Sequence, residues 1–187
     1  MAAPQVIKFE PQVQKFKELL LYISEKCAHD RRFGAVKLNK ILFFSDFIAY
    51  AQLGNPISGF EYQKLQNGPA PRNLVQIRKQ MENDRELALQ EVPLKSGKIQ
   101  KRTVNLRRPN LNLFSAEEIA LVDRVVTVLS DKYAEEVSDL SHREVGWKVV
   151  AMNETIPYET AFISDEPLTP IEIQRGRELA RQFDLMA

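Results

Sequence analysis

Val36-Lys37-Leu38-Asn39-Lys40-Ile41-Leu42-Phe43-Phe44-Ser45-Asp46-Phe47-Ile48-Ala49-Tyr50-Ala51-Gln52-Leu53 is the stretch that decides the fold. Its apolar residues recur at helical spacing but do not keep to one stripe. Leu38, Ile41, Leu42, Ser45 and Ala49 make one face, and Phe43, Phe47 and Tyr50 make another. A helix apolar on all sides belongs inside a bundle, because any face left in water would forgo hydrophobic burial. The stretch therefore predicts a buried central helix. Gly54 stops it, since glycine readily takes the left-handed conformation that closes a helix C-terminus.

Upstream, Pro11 suits the first turn of a helix whose residues Val13, Phe16, Leu20, Ile23 and Cys27 recur every three or four positions and face the core. Residues His29 to Gly34 break that helix from the central one. Downstream, the turn-rich Asn55 to Gly59 leads into a short strand-like segment, Phe60 to Leu65, and then a second break at Asn67-Gly68-Pro69-Ala70-Pro71. Leu74, Ile77 and Met81 mark a third, more exposed helix. From Leu87 the period changes to two, and the runs Leu87 to Leu94 and Ile99 to Arg107 flank Lys95-Ser96-Gly97-Lys98 as a β-hairpin. Ser115 with Glu118 is a capping box ahead of the stripe Ile119, Val122, Val126 and Leu129. A further helix runs from Glu135 to His142. Thr169-Pro170-Ile171-Glu172 is a second capping box, opening a terminal helix over about residues 170–186. The expected fold is mainly α (α+β): a helical bundle around a buried central helix, with a small antiparallel sheet and hairpin. No repeat or Gly/Ser linker divides it, so residues 1–187 read as one domain.

Composition agrees with a globular chain and narrows the partners. A length of 187 residues suffices for one core that buries roughly 70% of the unfolded surface. Lys plus Arg number 26 against 25 Asp plus Glu, so the net charge of +1 supplies no global field to draw in nucleic acid or an anionic membrane. One cysteine, Cys27, excludes an intramolecular disulfide framework and fits a reducing compartment. No apolar run approaches the ~20 residues of a membrane span, and the first residues lack the apolar core of a signal peptide. The expected location is cytoplasmic.

The order of several short motifs resembles that of the Panacea (SocA-like antitoxin) domain family. Lys37-Leu38-Asn39-Lys40-Ile41-Leu42-Phe43-Phe44-Ser45-Asp46 is similar to its K-L-x-K-L-L-[YF]-[YF]-[AS]-D signature. Gly54-Asn55-Pro56-Ile57-Ser58-Gly59, then Tyr62, Leu65 and Gly68-Pro69-Ala70-Pro71, follow in the family's order. Leu140-Ser141-His142 with Trp147 resembles its L-S-H and Trp elements, and Ile156-Pro157-Tyr158 its closing element. The resemblance spans about residues 12–162. It implies a helical fold with a small sheet and the antitoxin half of a toxin-antitoxin pair, often phage-associated, that neutralises a cognate toxin by direct contact. Such antitoxins pair with many unrelated toxins. No helix-turn-helix or zinc ribbon accompanies the motifs, which weighs against DNA-binding autoregulation, and Asn153-Glu154 replaces a Gly-containing turn.

Each chemically suggestive residue has a structural and a functional reading. Asp46, on an apolar helix with no basic residue three or four positions away, reads first as an internal polar tie to a distant group and second as a partner-binding or catalytic carboxylate. Gly68-Pro69-Ala70-Pro71 is a stiff turn that either aims the chain or presents a recognition loop, with Arg72 beside it as an exposed contact. Ser141 and His142 diverge by about 100° on a helix and cannot form a nucleophile-base pair by themselves. Trp147 reads as a core anchor ahead of a groove-lining residue. Lys95, Lys98, Lys101, Arg102, Arg107 and Arg108 occupy a segment without an acidic residue; this basic hairpin could meet an acidic toxin or nucleic acid, or protect a solvated edge. Arg72, Lys98, Lys101 and Arg102 are the expected partner contacts. Cys27 and His29 are too few to hold a metal, and no Gly-rich loop cradles phosphate, so no cofactor is expected. The leading reading is a protein-binding antitoxin, ahead of a nucleic-acid-binding regulator using residues 95–108 and an enzyme built on Asp46 and His142. The oligomeric state is not legible.

Overall fold

A computed structural model describes residues 8–94, 96–165, 167 and 169–182. Helix α1 (Val13–Lys26) and helix α2 (Ala35–Leu53) come first, followed by the short strands β1 (Tyr62–Gln63) and β2 (Ala70–Pro71). Helix α3 (Leu74–Asn83) leads into the hairpin β3 (Leu87–Pro93) and β4 (Ile99–Asn105). Helices α4 (Ala116–Leu129), α5 (Ala134–His142) and α6 (Val145–Val149) precede strand β5 (Thr155–Ile156), and α7 (Pro170–Gln182) closes the described chain. Single 3-10 turns cover Leu111–Leu113 and Tyr158–Phe162. The strands form an antiparallel sheet of order β2-β1-β5 and the separate hairpin β3-β4. This is the mainly helical α+β architecture expected.

Helix α2 is the centre, packing against α1, α4, α5, β2 and the second 3-10 turn. Leu38, Ile41, Leu42, Phe43, Phe47, Ala49 and Tyr50 are all buried. Its aromatic face stacks into the sheet end: Phe47 lies 4.6 Å from Tyr158 and 5.7 Å from Tyr62, centroid to centroid. Gly54 closes the helix in the left-handed conformation at φ 80° and donates its N–H to Tyr50 O.

Both expected capping boxes form. Ser115 Oγ accepts from Glu118 N while the Glu118 carboxylate accepts from Ser115 N, and Thr169 and Glu172 make the same exchange ahead of α7. Residues 183–186, to which the terminal helix was expected to extend, lie outside the described residues. Two upstream expectations need correction. Pro11 precedes the Gln12 N-cap instead of joining the first turn, since the Gln12 N–H is drawn to Ser58 O at 2.9 Å. Val13 is half exposed, because α1 turns a nearly continuous run, Phe16–Ser24, into the core between α2 and β4. The strand expected over Phe60–Leu65 pairs only at Tyr62–Gln63.

The hairpin is bolted to α1 by a buried carboxylate that sequence reasoning missed. Glu18 is 1% exposed. Its two oxygens accept from the Arg107 fork at 2.7 and 2.8 Å and from Asn110 N at 2.8 Å. Burial raises the Glu18 carboxyl, but the Arg107 fork and the Asn110 amide outweigh it and hold the group below its ordinary range.

Candidate functional site

Lys37, Lys40 and Asp46 of α2 are each partnered in the interior, whereas the buried Ser45 hydroxyl on the same helix has no hydrogen-bond partner among the described residues. Lys37, fully buried, donates to Asp30 Oδ2 at 2.6 Å and to the carbonyls of Ser130 and Lys132 at 2.7 and 3.0 Å, which pins the α4–α5 connection. Asp46, 0% exposed, accepts from Ser58 N at 2.7 Å, Ser58 Oγ at 2.5 Å and Tyr62 Oη at 2.7 Å. It is the internal tie expected, but its partners are neutral donors and not a distant cation. Burial pushes the carboxyl up against those three donors. Pro56 and Gly59 shape the loop that delivers Ser58, and Gly59, at φ 70°, lets the backbone of Glu10 cross within van der Waals reach.

A third group gathers at Lys40. Its amine, 1% exposed, donates to Pro69 O at 2.9 Å, and burial pulls it down to about 7. Gly68 (φ 89°) presses on the same spot: a Cβ there would fall 2.3 Å from Ser141 Oγ and 2.8 Å from Lys40 Nζ. Ser141 Oγ donates to Ser138 O at 2.7 Å, so it is a helix-internal bond and not an activated nucleophile. His142 stacks on Trp147 at 4.1 Å and 23°, and its Nε2 has no hydrogen-bond partner among the described residues. Burial and then the Lys40 charge hold the imidazole below its usual range. Trp147 is half-buried, with the Lys64 ammonium 4.4 Å from its ring centroid and Nε1 donating to Leu65 O at 3.3 Å. The core-anchor reading holds in part: Trp147 packs against the edge of the hydrophobic core but is only partly buried, with His142 and Lys64 against its ring.

The expected contact surface divides into committed and solvent-facing side chains. Arg72 is half-buried and occupied: its guanidinium donates to Thr155 Oγ1, Gln63 Oε1 and Asn153 O, and Glu61 lies at 3.4 Å, so it locks β1 to β5. Arg102 donates to Asp30 O at 2.8 Å and Ala28 O at 3.1 Å. Arg107 belongs to Glu18 and Glu86. Lys101 faces Glu91 across the ladder at 3.7 Å, both exposed. Only Lys98, Lys101 and Arg108 present exposed side chains among the described cations of the hairpin segment, and Lys95 lies outside the described residues. The basic patch seen in sequence is therefore broken up, because carboxylates remote in sequence take Arg107 and backbone carbonyls take Arg102. Asp46 and His142 are not brought to a common cleft either. Cys27 is buried and its thiol is pushed up to about 12 by burial, with Asp30 adding to the shift. Among the described residues no cluster of three His, Cys, Asp or Glu side chains could hold a metal ion.

What sequence reasoning missed is a groove of about 660 Å³ between α2, α4, α5 and residues 161–165. Its floor is a stripe of α2 that the bundle leaves partly open, Phe44, Ile48 and Gln52 at i, i+4 and i+8. Val125, Val128 and Leu129 line one wall and Leu140 the other. Arg124, Arg143, Glu144 and Asp165 also line it. The signal was present: Phe44 and Ile48 belong to neither of the two faces of the central helix.

Fold and site thus define a mainly helical α+β domain whose motif residues fasten the scaffold and whose groove stands open beside them. The chain belongs to the SocA-like antitoxin family (Panacea domain), whose model matches residues 38–148, more than half of its length. Lys37 and the 156–158 element lie outside the matched stretch. No curated protein and no solved structure matches the chain significantly. No described helix is long and apolar enough to cross a membrane.

Proposed function

We propose that the protein neutralises a cognate toxin by binding it directly, through an apolar interface on the helical bundle. The observation that carries this reading is the groove over Phe44 and Ile48. A concavity lined mainly by aliphatic side chains and Phe44, with Arg124 and Arg143 among its lining residues, matches the apolar core and polar rim of a protein interface. Antitoxin-family membership supplies the role, and the groove supplies a surface suited to it. Phe162 and Ile163, 64% and 55% exposed, extend the apolar surface along one edge. Lys98 and Lys101 reach solvent on the hairpin and serve as peripheral steering charges for an acidic partner, where rim cations affect on-rate more than affinity.

Growth of cells that express each open reading frame adjoining this gene tests the role, beginning with any that arrests growth on its own. Co-expression of the intact protein should restore growth. Co-expression of Val128→Glu, which plants a carboxylate in the groove wall at a position already 66% exposed, should not, at equal protein level. Growth that stays arrested with the intact protein would overturn the reading.

A further inference from the structure

The groove's walls come from α2, α4 and α5, with the segment 161–165 at one end. Helical walls offer side chains but no unpaired strand edge, so an occupant's backbone finds little to bond with there. An extended peptide would leave its buried N–H and C=O groups unsatisfied, whereas a helix brings its own hydrogen bonds. The Phe44–Ile48–Gln52 stripe repeats once per helical turn and suits the same repeat on a facing helix.

Charge sets the rest of the recognition. Arg124 bonds to a neutral partner, Gln52 Oε1 at 3.3 Å. Arg143, exposed, has no carboxylate within ion-pair reach among the described residues. Of the two acids in the groove, Asp165 is already taken by Lys148. Glu144 is held above the ordinary carboxylate range by loss of hydration, with Asp165 adding to the shift. Two available arginines therefore stand against one carboxylate.

We propose that this groove receives an amphipathic helix of the partner protein whose apolar stripe covers Phe44 and Ile48 and whose flanking carboxylates meet Arg124 and Arg143. The inference rests on the reading of the chain as a protein-binding antitoxin and names the chemistry of what it binds.

The test uses synthetic helical peptides of about 18 residues, long enough for five turns, sharing one Leu/Ala stripe and differing only in flanking residues: Glu, Gln or Lys. Fluorescence anisotropy against the full-length protein should rank them Glu above Gln above Lys, with at least about tenfold between the extremes, the size of one favourable charge pairing. The double variant Arg124→Glu/Arg143→Glu should reverse that order, and Val128→Glu should weaken all three peptides. Equal binding of the three, no binding, or binding that Val128→Glu leaves intact overturns the inference. So would a protein dimer that Val128→Glu dissociates, which would make a second copy the occupant. Growth rescue with no peptide preference would sink the helix inference and leave the antitoxin reading standing. Peptide ranking without growth rescue would do the reverse.

Discussion

The amine of Lys40 donates to the carbonyl oxygen of Pro69 across 2.9 Å of protein interior, so one buried bond holds the second turn of α2 to the stiff turn between β1 and β2. Gly68 sits against that bond with Ser141 on its other side, which brings the first, third and fourth motif elements of the chain to a single point.

Gly68→Ala tests how tightly that point is packed. The new methyl would meet Ser141 Oγ and Lys40 Nζ well inside contact distance, at a backbone φ of 89°. Overpacking and left-handed strain together should cost about 2–5 kcal/mol. Gly97→Ala, at φ 79° with nothing within 4 Å, carries only the backbone part, about 1–2 kcal/mol. Urea denaturation of the two variants should separate them clearly; equal midpoints would mean that the Gly68 contact yields at no cost.

Lys40 makes stability depend on pH. Its folded value, about 7, lies below the usual 10.5, so between those limits the unfolded chain holds the extra proton. Stability therefore rises as pH climbs from about 7 towards 10.5, by up to about 4 kcal/mol from this group, and is level in this respect below 7. His142 is also held low, which adds a loss of stability as pH falls through the ordinary imidazole range of 6.5. Denaturation of the protein and of Lys40→Met at about pH 7 and about pH 10 measures the first effect. The variant should show little of the rise; an unchanged rise would assign it to other groups.

Asp46→Ala leaves Ser58 N, Ser58 Oγ and Tyr62 Oη without their acceptor in a site with no water access. The expected loss is about 3–5 kcal/mol, since each stranded buried donor costs about 1–3 kcal/mol and partial relaxation recovers some of it. Asp46→Asn keeps one acceptor oxygen for Ser58 N and should lose less than half as much. Thermal melts of both give the ratio, and an Asn variant as unstable as the Ala variant would show that the negative charge itself is needed.

Arg72→Glu and Lys98→Glu reverse two charges that look alike in sequence. The first breaks the bonds to Thr155, Gln63 and Asn153 and faces Glu61 with a like charge, so it should destabilise by about 2–3 kcal/mol. The second lies on an exposed loop and should stay within about 0.5 kcal/mol. Matching melting temperatures would refute the structural role of Arg72.

The central helix, the hairpin and both capping boxes were legible because each rests on residues adjacent in sequence: a period, a turn, a Ser or Thr three residues before Glu. The charge pattern was not. Arg107 looked like part of a basic run because Glu18 and Glu86, which bind it, lie 89 and 21 residues away. Arg72 looked exposed because its acceptors Asn153 O and Thr155 Oγ1, before and on β5, lie more than 80 residues downstream. Trp147 does pack against the core, but its partial burial and its contacts with Lys64 and His142, 83 and 5 residues away, were not legible. The groove was half legible. Phe44 and Ile48 stood outside both assigned faces of α2, but that the bundle leaves their stripe partly open depends on how α4 and α5 are spaced, which no local pattern encodes.

The most direct test of the central claim is a titration of the purified protein into the purified product of whichever open reading frame adjoining its gene arrests growth, with complex formation followed by calorimetry and toxic activity followed in the same cell-free mixture. Direct neutralisation predicts that heat release and loss of activity saturate at the same molar ratio, and that Val128→Glu weakens both together. Loss of activity without a binding signal, or a saturated complex in which the toxin stays active, would contradict it.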